Sequence, residues 1–280
     1  MYAYLKGHPD IFMSSIKEPQ FFAIDIFRHQ RSVRNLNEYM KCFEEARGEK
    51  RVGEASTAYL GSPNAPHEIR EFCPQARIIV MLRNPVDVMQ AQHSERIFSR
   101  MEHIRDFEAA INSQETRYWR SGSYRGEPVM RLGYRELVRF SVQLDRYFEA
   151  FGRDNIHVIV FEDLTSDCDK VFAKTLQFLD LNPCPRQTGK VLNRNRRARS
   201  LRMQGLLEHP PASMRRLAHV FLPKSLRKRF GFSLQKLNTI YEPRKPIKQS
   251  FRILLQREYE QEIDRLSLLL DRDLTAWYRT

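Results

Sequence analysis

The sequence predicts an α/β fold, and two observations carry the prediction. Residues 76–82 (ARIIVML) and 155–161 (NIHVIVF) are short, β-branched and apolar almost throughout. That is the pattern of strands buried on both faces of a parallel sheet. Each run also follows a helical pattern: residues 65–72 (APHEIREF) lead into the first and residues 134–151 (YRELVRFSVQLDRYFEAF) into the second. In the longer helix Leu137, Val138, Leu144, Tyr147 and Phe148 recur at helical spacing, and Gly152 sits where a C-cap belongs. Helix then strand, twice, implies layers joined by right-handed crossovers. Weaker strand candidates are residues 20–25 (QFFAID) and 51–56 (RVGEAS). Beyond the second strand the pattern predicts a helix over 169–179, then a polar stretch rich in Pro, Gly and Arg over 182–202. Residues 210–250 are basic and interrupted by Pro223, Gly231, Pro243 and Pro246, which predicts short helices and loops. A last helix is expected over 251–270, with Trp277 close behind. No composition shift marks a domain boundary, so one domain over 1–280 is expected, with an irregular basic subdomain at about 200–250.

Composition narrows the class of function. The 280 residues hold 47 Lys+Arg against 34 Asp+Glu, a net charge of +13. A hydrophobic share of 41% suits a folded core rather than a disordered or low-complexity chain. The longest aliphatic run, Ile78–Leu82, falls far short of the roughly 20 residues a membrane helix needs. Residues 1–10 (MYAYLKGHPD) lack the apolar centre of a signal peptide, so cytoplasmic residence is the expectation. Cys42, Cys73, Cys168 and Cys184 show no C-x-x-C spacing and no metal-ligand pattern, so no metal is expected. They read as free thiols, although Cys168 and Cys184 are close enough in sequence to pair under oxidising conditions. The charge predicts an anionic partner. Nucleic acid is not expected, because no RNP, zinc or helix-turn-helix pattern accompanies the charge.

Two short segments carry candidate chemistry. The strand of residues 78–82 runs straight into Arg83-Asn84-Pro85-Val86-Asp87 and then a helix. Ligands of open parallel sheets sit at the carboxyl ends of strands. A guanidinium there, beside a helix N-terminus opened by Pro, can grip a phosphate bidentately. Pairing of Arg83 with a carboxylate at the sheet edge is the open alternative. The second segment is Lys17-Glu18-Pro19-Gln20-Phe21-Phe22, where a cation and a carboxylate base precede an apolar run. A solvated ion pair is the alternative there.

Taken in order, these pieces resemble a known family. His8-Pro9-Asp10-Ile11-Phe12-Met13 comes first, then Lys17-Glu18-Pro19 with Phe21-Phe22, then Gly53-Glu54-Ala55-Ser56 with Tyr59. Next are Arg83-Asn84-Pro85-Val86-Asp87, His93-Ser94, Phe161-Glu162-Asp163-Leu164, and finally Arg272-Asp273-Leu274 with Trp277. The set resembles the sulfotransferases that use 3′-phosphoadenosine 5′-phosphosulfate (PAPS), in the branch of heparan sulfate sulfotransferases and their bacterial relatives. The resemblance implies a P-loop NTPase-like three-layer fold around a central parallel sheet. It implies transfer of a sulfuryl group from PAPS to a hydroxyl or amine, with a carbohydrate as the first acceptor to test. The partners are then an anionic nucleotide and that acceptor, with no integral membrane segment in this chain. Glu18 stands where this branch places its catalytic base, with Lys17 helping to hold the sulfuryl or acceptor region. Arg83 would bind the 3′-phosphate, and the basic loop at Arg244 and Lys245 would add contacts to it. His93 reads as a packing histidine, and Trp277 as an anchor for the C-terminal helix. Glu54 and Tyr59 either line the acceptor cleft or orient the basic cluster.

Two departures shape the expectation. The family opens with a strand and a phosphate-cradling loop of the type K-x-G-T-[ST], and these 280 residues contain no such segment. Residues 1–5 resemble the helix that follows that loop. The first strand and phosphate loop are therefore expected to be missing, through a misplaced start codon or a real deletion. The other departure is at the second 3′-phosphate ligand, a Ser eight residues past the Arg. Here that position is Ala91, and Ser94, one turn on, is the candidate substitute, with a plain surface or core hydroxyl as the open alternative. An impaired or inactive family member that binds a nucleotide or a sulfated polyanion is the competing reading. The arginine run Arg194, Arg196, Arg197, Arg199 and Arg202, and the cations Arg227, Lys228 and Arg229, fit either an anionic ligand or a solvated face.

Overall fold

In the computed structural model, which describes residues 1–26, 33–114, 133–186, 195–208, 210–211, 213, 216 and 223–279, each strand is met in the company of a helix. A short helix α1 (Tyr2–Leu5) leads into strand β1 (Ile11–Met13), and helix α2 (Leu36–Lys41) into β2 (Arg51–Gly53). Helix α3 (Ala65–Phe72) precedes β3 (Ile78–Leu82), which runs into α4 (Pro85–Phe98) and α5 (Phe107–Asn112). Helices α6 (Tyr134–Leu137) and α7 (Phe140–Phe151) precede β4 (Ile156–Val160), followed by α8 (Phe161–Ser166) and α9 (Cys168–Phe178). Strand β5 (Arg196–Ala198), α10 (Leu201–Glu208), α11 (Lys224–Asn238) and β6 (Thr239–Tyr241) make up the basic region. Helices α12 (Gln249–Glu258) and α13 (Glu260–Leu270) complete the order.

Among the described residues β1 pairs with β2 and β3 with β4, both parallel, while β5 pairs antiparallel with β6. The α/β class holds, with the parallel strands in two separate pairs. The β3–β4 register runs from Ile78↔Ile156 to Leu82↔Val160. Burial on both faces holds only in part. Val80 and Leu82 enter the main core with Val86, Met89, Leu144, Leu255 and Trp277, whereas Met81 is 40% exposed. Ile79 packs on a second cluster of Leu5, Ile11, Met13, Phe172 and Leu176. Arg51, at the start of β2, and Arg77, just before β3, both reach Asp180, so one carboxylate holds the amino ends of both parallel pairs.

Local chemistry explains several element starts. Asn35, Asn84, Asp106 and Asp167 each accept a backbone N–H from the first turn of α2, α4, α5 and α9. Gly152 ends α7 at φ +74°, a conformation that favours glycine. Four expectations need correction. Residues 20–25 form no strand: Phe21–Ala23 is a 3₁₀ turn, because Phe21 and Phe22 turn onto the ring of Tyr39 at 4.6 and 5.3 Å. The helix expected over 134–151 breaks at Val138–Arg139, where the Glu262 carboxylate accepts from the Ser141 N–H at 2.7 Å and its hydroxyl at 2.9 Å. Residues 251–270 are two helices, broken at the buried Tyr259. Residues 210–250 are less fragmented than expected, since α11 continues through Gly231.

Candidate functional site

The carboxyl end of β3 is where basic residues gather. Asn84 Oδ1 accepts from the Val86 N–H at 3.0 Å, and its Nδ2 donates to the Trp277 carbonyl at 2.9 Å. One side chain thus caps α4 and ties its N-terminus to the end of the chain. Arg83, just before it, donates to Asp87 Oδ2 at 3.1 Å across one helical turn. Asp87 Oδ1 accepts from Arg252 of α12 at 2.8 Å. The Arg83 guanidinium lies 4.7 Å from the ring centre of Phe161, the first residue of α8. Arg244 joins the group: burial, then the charge of Arg83, pushes its guanidinium below the ordinary range. Its Nε is buried with no hydrogen-bond partner among the described residues.

The carboxylate partner left open for Arg83 is therefore real, and it is Asp87. Arg83 and Arg252 share that one carboxylate and Arg244 lies within reach of its charge, so positive charge is left in excess where the strand ends. Bidentate donors in such a cluster suit a phosphate, and the orphaned Nε of Arg244 supplies a donor still to be satisfied. Arg252 is a member that the sequence reading missed. It is one cation among 47 Lys+Arg, in a helix with ordinary amphipathic spacing, and no local pattern marks it.

Ser94 lies farther along α4 and donates to the Gln90 carbonyl at 3.1 Å. Gln90 Nε2 donates to the Lys245 carbonyl at 2.7 Å, which docks the Arg244–Lys245 loop onto α4. The arginine run is partly committed to structure. Arg196 binds Glu95 at 2.7 Å and covers the Phe98 ring at 4.3 Å, and Arg197 binds Glu242 at 2.6 Å. Arg194 and the side chains of Arg227, Lys228 and Arg229 lie outside the described residues. His93 packs, as expected: it is buried, and its Nε2 donates to the Ile104 carbonyl at 2.8 Å.

The second cluster lies past the carboxyl ends of β1 and β2. Lys17 Nζ is 3.5 Å from Glu18 Oε1, with side chains 49% and 35% exposed. Glu18 and Gln20, on either side of Pro19, both adopt φ +57°. A left-handed non-glycine residue costs about 1–2 kcal/mol, so the turn needs outside support. Gln20 is buried, its Nε2 donates to Glu18 Oε2 at 3.5 Å, and its N–H donates to Ser56 Oγ at 3.0 Å. Ser56 Oγ in turn donates to Glu54 at 2.7 Å. Tyr59 and Tyr39 donate to the same carboxylate at 2.5 and 3.1 Å, and the Phe22 N–H donates to the Tyr59 hydroxyl at 3.4 Å. Burial pushes the Glu54 carboxyl up, and the three donors work against that shift. Burial, then the neighbouring Glu54, raises both tyrosines. Glu54 is thus the hub of the turn that carries Glu18, whereas the sequence alone left its role open.

Motifs far apart in the chain also meet. Arg272 donates to both oxygens of Asp163, one at 2.6 Å, and the Trp277 carbonyl accepts from Asn84 and from Gln256. Among the described residues no group of His, Cys, Asp and Glu could hold a metal ion, and no helix is long and apolar enough to cross a membrane.

Comparison with known proteins bears on the family and the fold. A family profile described as "Sulfotransferase family" matches residues 15–185, more than half of the chain. The mouse bifunctional heparan sulfate N-deacetylase/N-sulfotransferase 4 is 25% identical over 190 residues, covering 65% of this chain and 21% of that protein. The bifunctional heparan sulfate N-deacetylase/N-sulfotransferase 1 of Caenorhabditis briggsae is 23% identical over 190 residues, covering 66% and 21%. The chain therefore spans about a fifth of the length of these curated relatives. In fold it is similar to the crystal structure of a sulfotransferase from Alicyclobacillus acidocaldarius, with a TM-score of 0.69 at 24% identity over 99% of this chain and 92% of the other. With a family profile matched over more than half of its length, the chain belongs to the sulfotransferase family.

Proposed function

We propose that this protein transfers a sulfuryl group from PAPS to a hydroxyl or amine, on a P-loop-like three-layer α/β scaffold. The observation that carries the reading is the cluster of Arg83, Arg244 and Arg252 around Asp87 at the carboxyl end of β3. Arg83 and Arg252 hold the 3′-phosphate of the donor, and Arg244 and Lys245 close over it from their loop. Ser94 is a hydroxyl on the same helix as Asp87 and adds a contact from there. The 3′-phosphate separates this donor from ATP, so the cluster also sets nucleotide choice.

At the other cluster Glu18 acts as base. The acceptor oxygen or nitrogen attacks sulfur in line, and its proton passes to the Glu18 carboxylate. The bond from sulfur to the bridging phosphate oxygen breaks, and 3′-phosphoadenosine 5′-phosphate leaves with those electrons. Lys17, beside Glu18, offsets negative charge on the sulfuryl oxygens as they pass through the transition state. Positioning and charge stabilisation carry most of such a transfer, as in phosphoryl chemistry. A carbohydrate hydroxyl or amine is the first acceptor class. The names of the two curated relatives support that choice.

The test is transfer of radiolabelled sulfate from PAPS to a panel of oligosaccharides, small alcohols and amines. Labelled product from the wild type, lost in Glu18→Ala, is the expected outcome. Full activity in Glu18→Ala would remove Glu18 from the chemistry. Nucleotide binding without transfer to any acceptor would support the competing reading, a family member that binds without turnover.

A further inference from the structure

We propose that Glu54 is the positioning residue for Glu18, acting through Ser56 and Gln20. This rests on the reading of Glu18 as base and adds how the base is held. The chain of contacts is continuous. Glu54 accepts from the Ser56 hydroxyl at 2.7 Å, Ser56 accepts from the Gln20 N–H at 3.0 Å, and the Gln20 amide donates to Glu18 at 3.5 Å. A parallel arm runs from Glu54 to the Tyr59 hydroxyl and on to the Phe22 N–H. Tyr39, from α2, fixes the carboxylate from a third direction.

Three features make this more than a buried polar group that happens to be satisfied. The arms end on the backbone N–H groups of Gln20 and Phe22, the residues just beyond Glu18-Pro19. The segment they hold contains two left-handed non-glycine residues, Glu18 and Gln20, which would relax without support. The carboxylate sits directly after β2, whose partner β1 leads into the same segment, with Met13 opposite Gly53. The hub therefore stands directly on the parallel pair and holds the turn that follows β1. A carboxylate is suited to the task because it accepts from all three hydroxyls at once. Glutamine at this place brings an N–H₂ group that must face one of those donors.

Kinetics and amide exchange test the proposal together, on the full chain. The variants are Glu54→Ala, Glu54→Gln, Ser56→Ala and Gln20→Ala, each checked for intact affinity for 3′-phosphoadenosine 5′-phosphate. In Glu54→Ala kcat falls by about tenfold or more while KM for the donor stays within about twofold, as expected when a reacting group is misplaced by about 1 Å. Combining Glu54→Ala with Gln20→Ala costs little beyond either alone, because both cut the same chain. Hydrogen exchange at the Gln20 and Phe22 amides accelerates in Glu54→Ala, while exchange in β3 and β4 is unchanged. A merely structural role would move the β3 and β4 amides and donor affinity as well. Should Glu54→Ala fail to fold, Ser56→Ala leaves the carboxylate with both tyrosines and carries the same test. Wild-type kcat in Glu54→Ala, when Glu18→Ala is inactive, overturns the positioning role and leaves the base role standing. Full activity in Glu18→Ala removes the base role, and unchanged exchange at Gln20 and Phe22 overturns the support of the turn whatever the kinetics.

Discussion

Arg83 and Glu54 show how differently a single residue can announce itself. Arg83 was readable because its context is local: an apolar strand ends, a charge follows, and Pro85 opens a helix. Arg252 was not, because its meaning comes from Asp87, 165 residues away. Replacing Arg252 by Ala is expected to weaken 3′-phosphoadenosine 5′-phosphate binding by about tenfold, the scale of one charge-assisted hydrogen bond. Titration calorimetry reads this directly, and unchanged affinity would place the phosphate elsewhere. Glu54 has a pH signature of its own. Burial raises its folded pKa above the ordinary 4.5, so the folded state holds the proton more tightly than the unfolded chain. Its contribution to stability is therefore full below 4.5 and falls as pH rises through the raised folded value. Urea midpoints measured upward from that pH should decline less steeply in Glu54→Gln than in the wild type. Identical slopes would mean that Glu54 does not titrate in that window.

Elements follow the same division between local and distant causes. Helices α3, α4 and α9 could be read from periodicity and Pro or Asp at their starts, and β3 and β4 from β-branched runs. Strand β1 is only three residues long, too short for periodicity, and exists because it pairs with β2. The break between α6 and α7 is made by Glu262, over 120 residues further on, which replaces the acceptors a continuous helix would offer to Ser141. Glu262→Ala is expected to cost about 1–3 kcal/mol, the scale of leaving buried donors unmet; a chemical denaturation curve within error of wild type would contradict it. The pair Asp163–Arg272 joins α8 to the chain end. Hydrogen bonding from Arg272 holds the Asp163 carboxyl below its ordinary 3.8. The pair's contribution is present above 3.8 and lost as pH falls through the lowered value. Asp163→Asn should thus lose less stability than wild type on acidification, measured by thermal melts across that range.

For the whole molecule, the net charge of +13 divides into committed and uncommitted parts. Arg135, Arg196, Arg197 and Arg272 are bound to Glu258, Glu95, Glu242 and Asp163, so much of the basic surface is structural. The excess at Asp87 differs, because two guanidiniums share one carboxylate there and a third, that of Arg244, feels the charge of Arg83. The general architecture was readable from two helix–strand repeats. The site was only half readable, since its strand-end residues are marked in sequence while Arg252, Gln20 and the Glu54 hub are assembled by the fold. The expected single sheet was less readable still: pairing is a property of strands meeting in space, and the described residues pair in twos. At this scale the Arg83 cluster is proposed to bind a nucleotide through its 3′-phosphate. Calorimetric titration of wild type and Arg83→Ala with 3′-phosphoadenosine 5′-phosphate, and with adenosine 5′-phosphate as the analogue lacking that group, tests it most directly. Tight binding of the bisphosphate to wild type is expected, with at least about tenfold weaker binding to Arg83→Ala and little difference between the proteins for the monophosphate. Equal affinity of both proteins for the bisphosphate would contradict it.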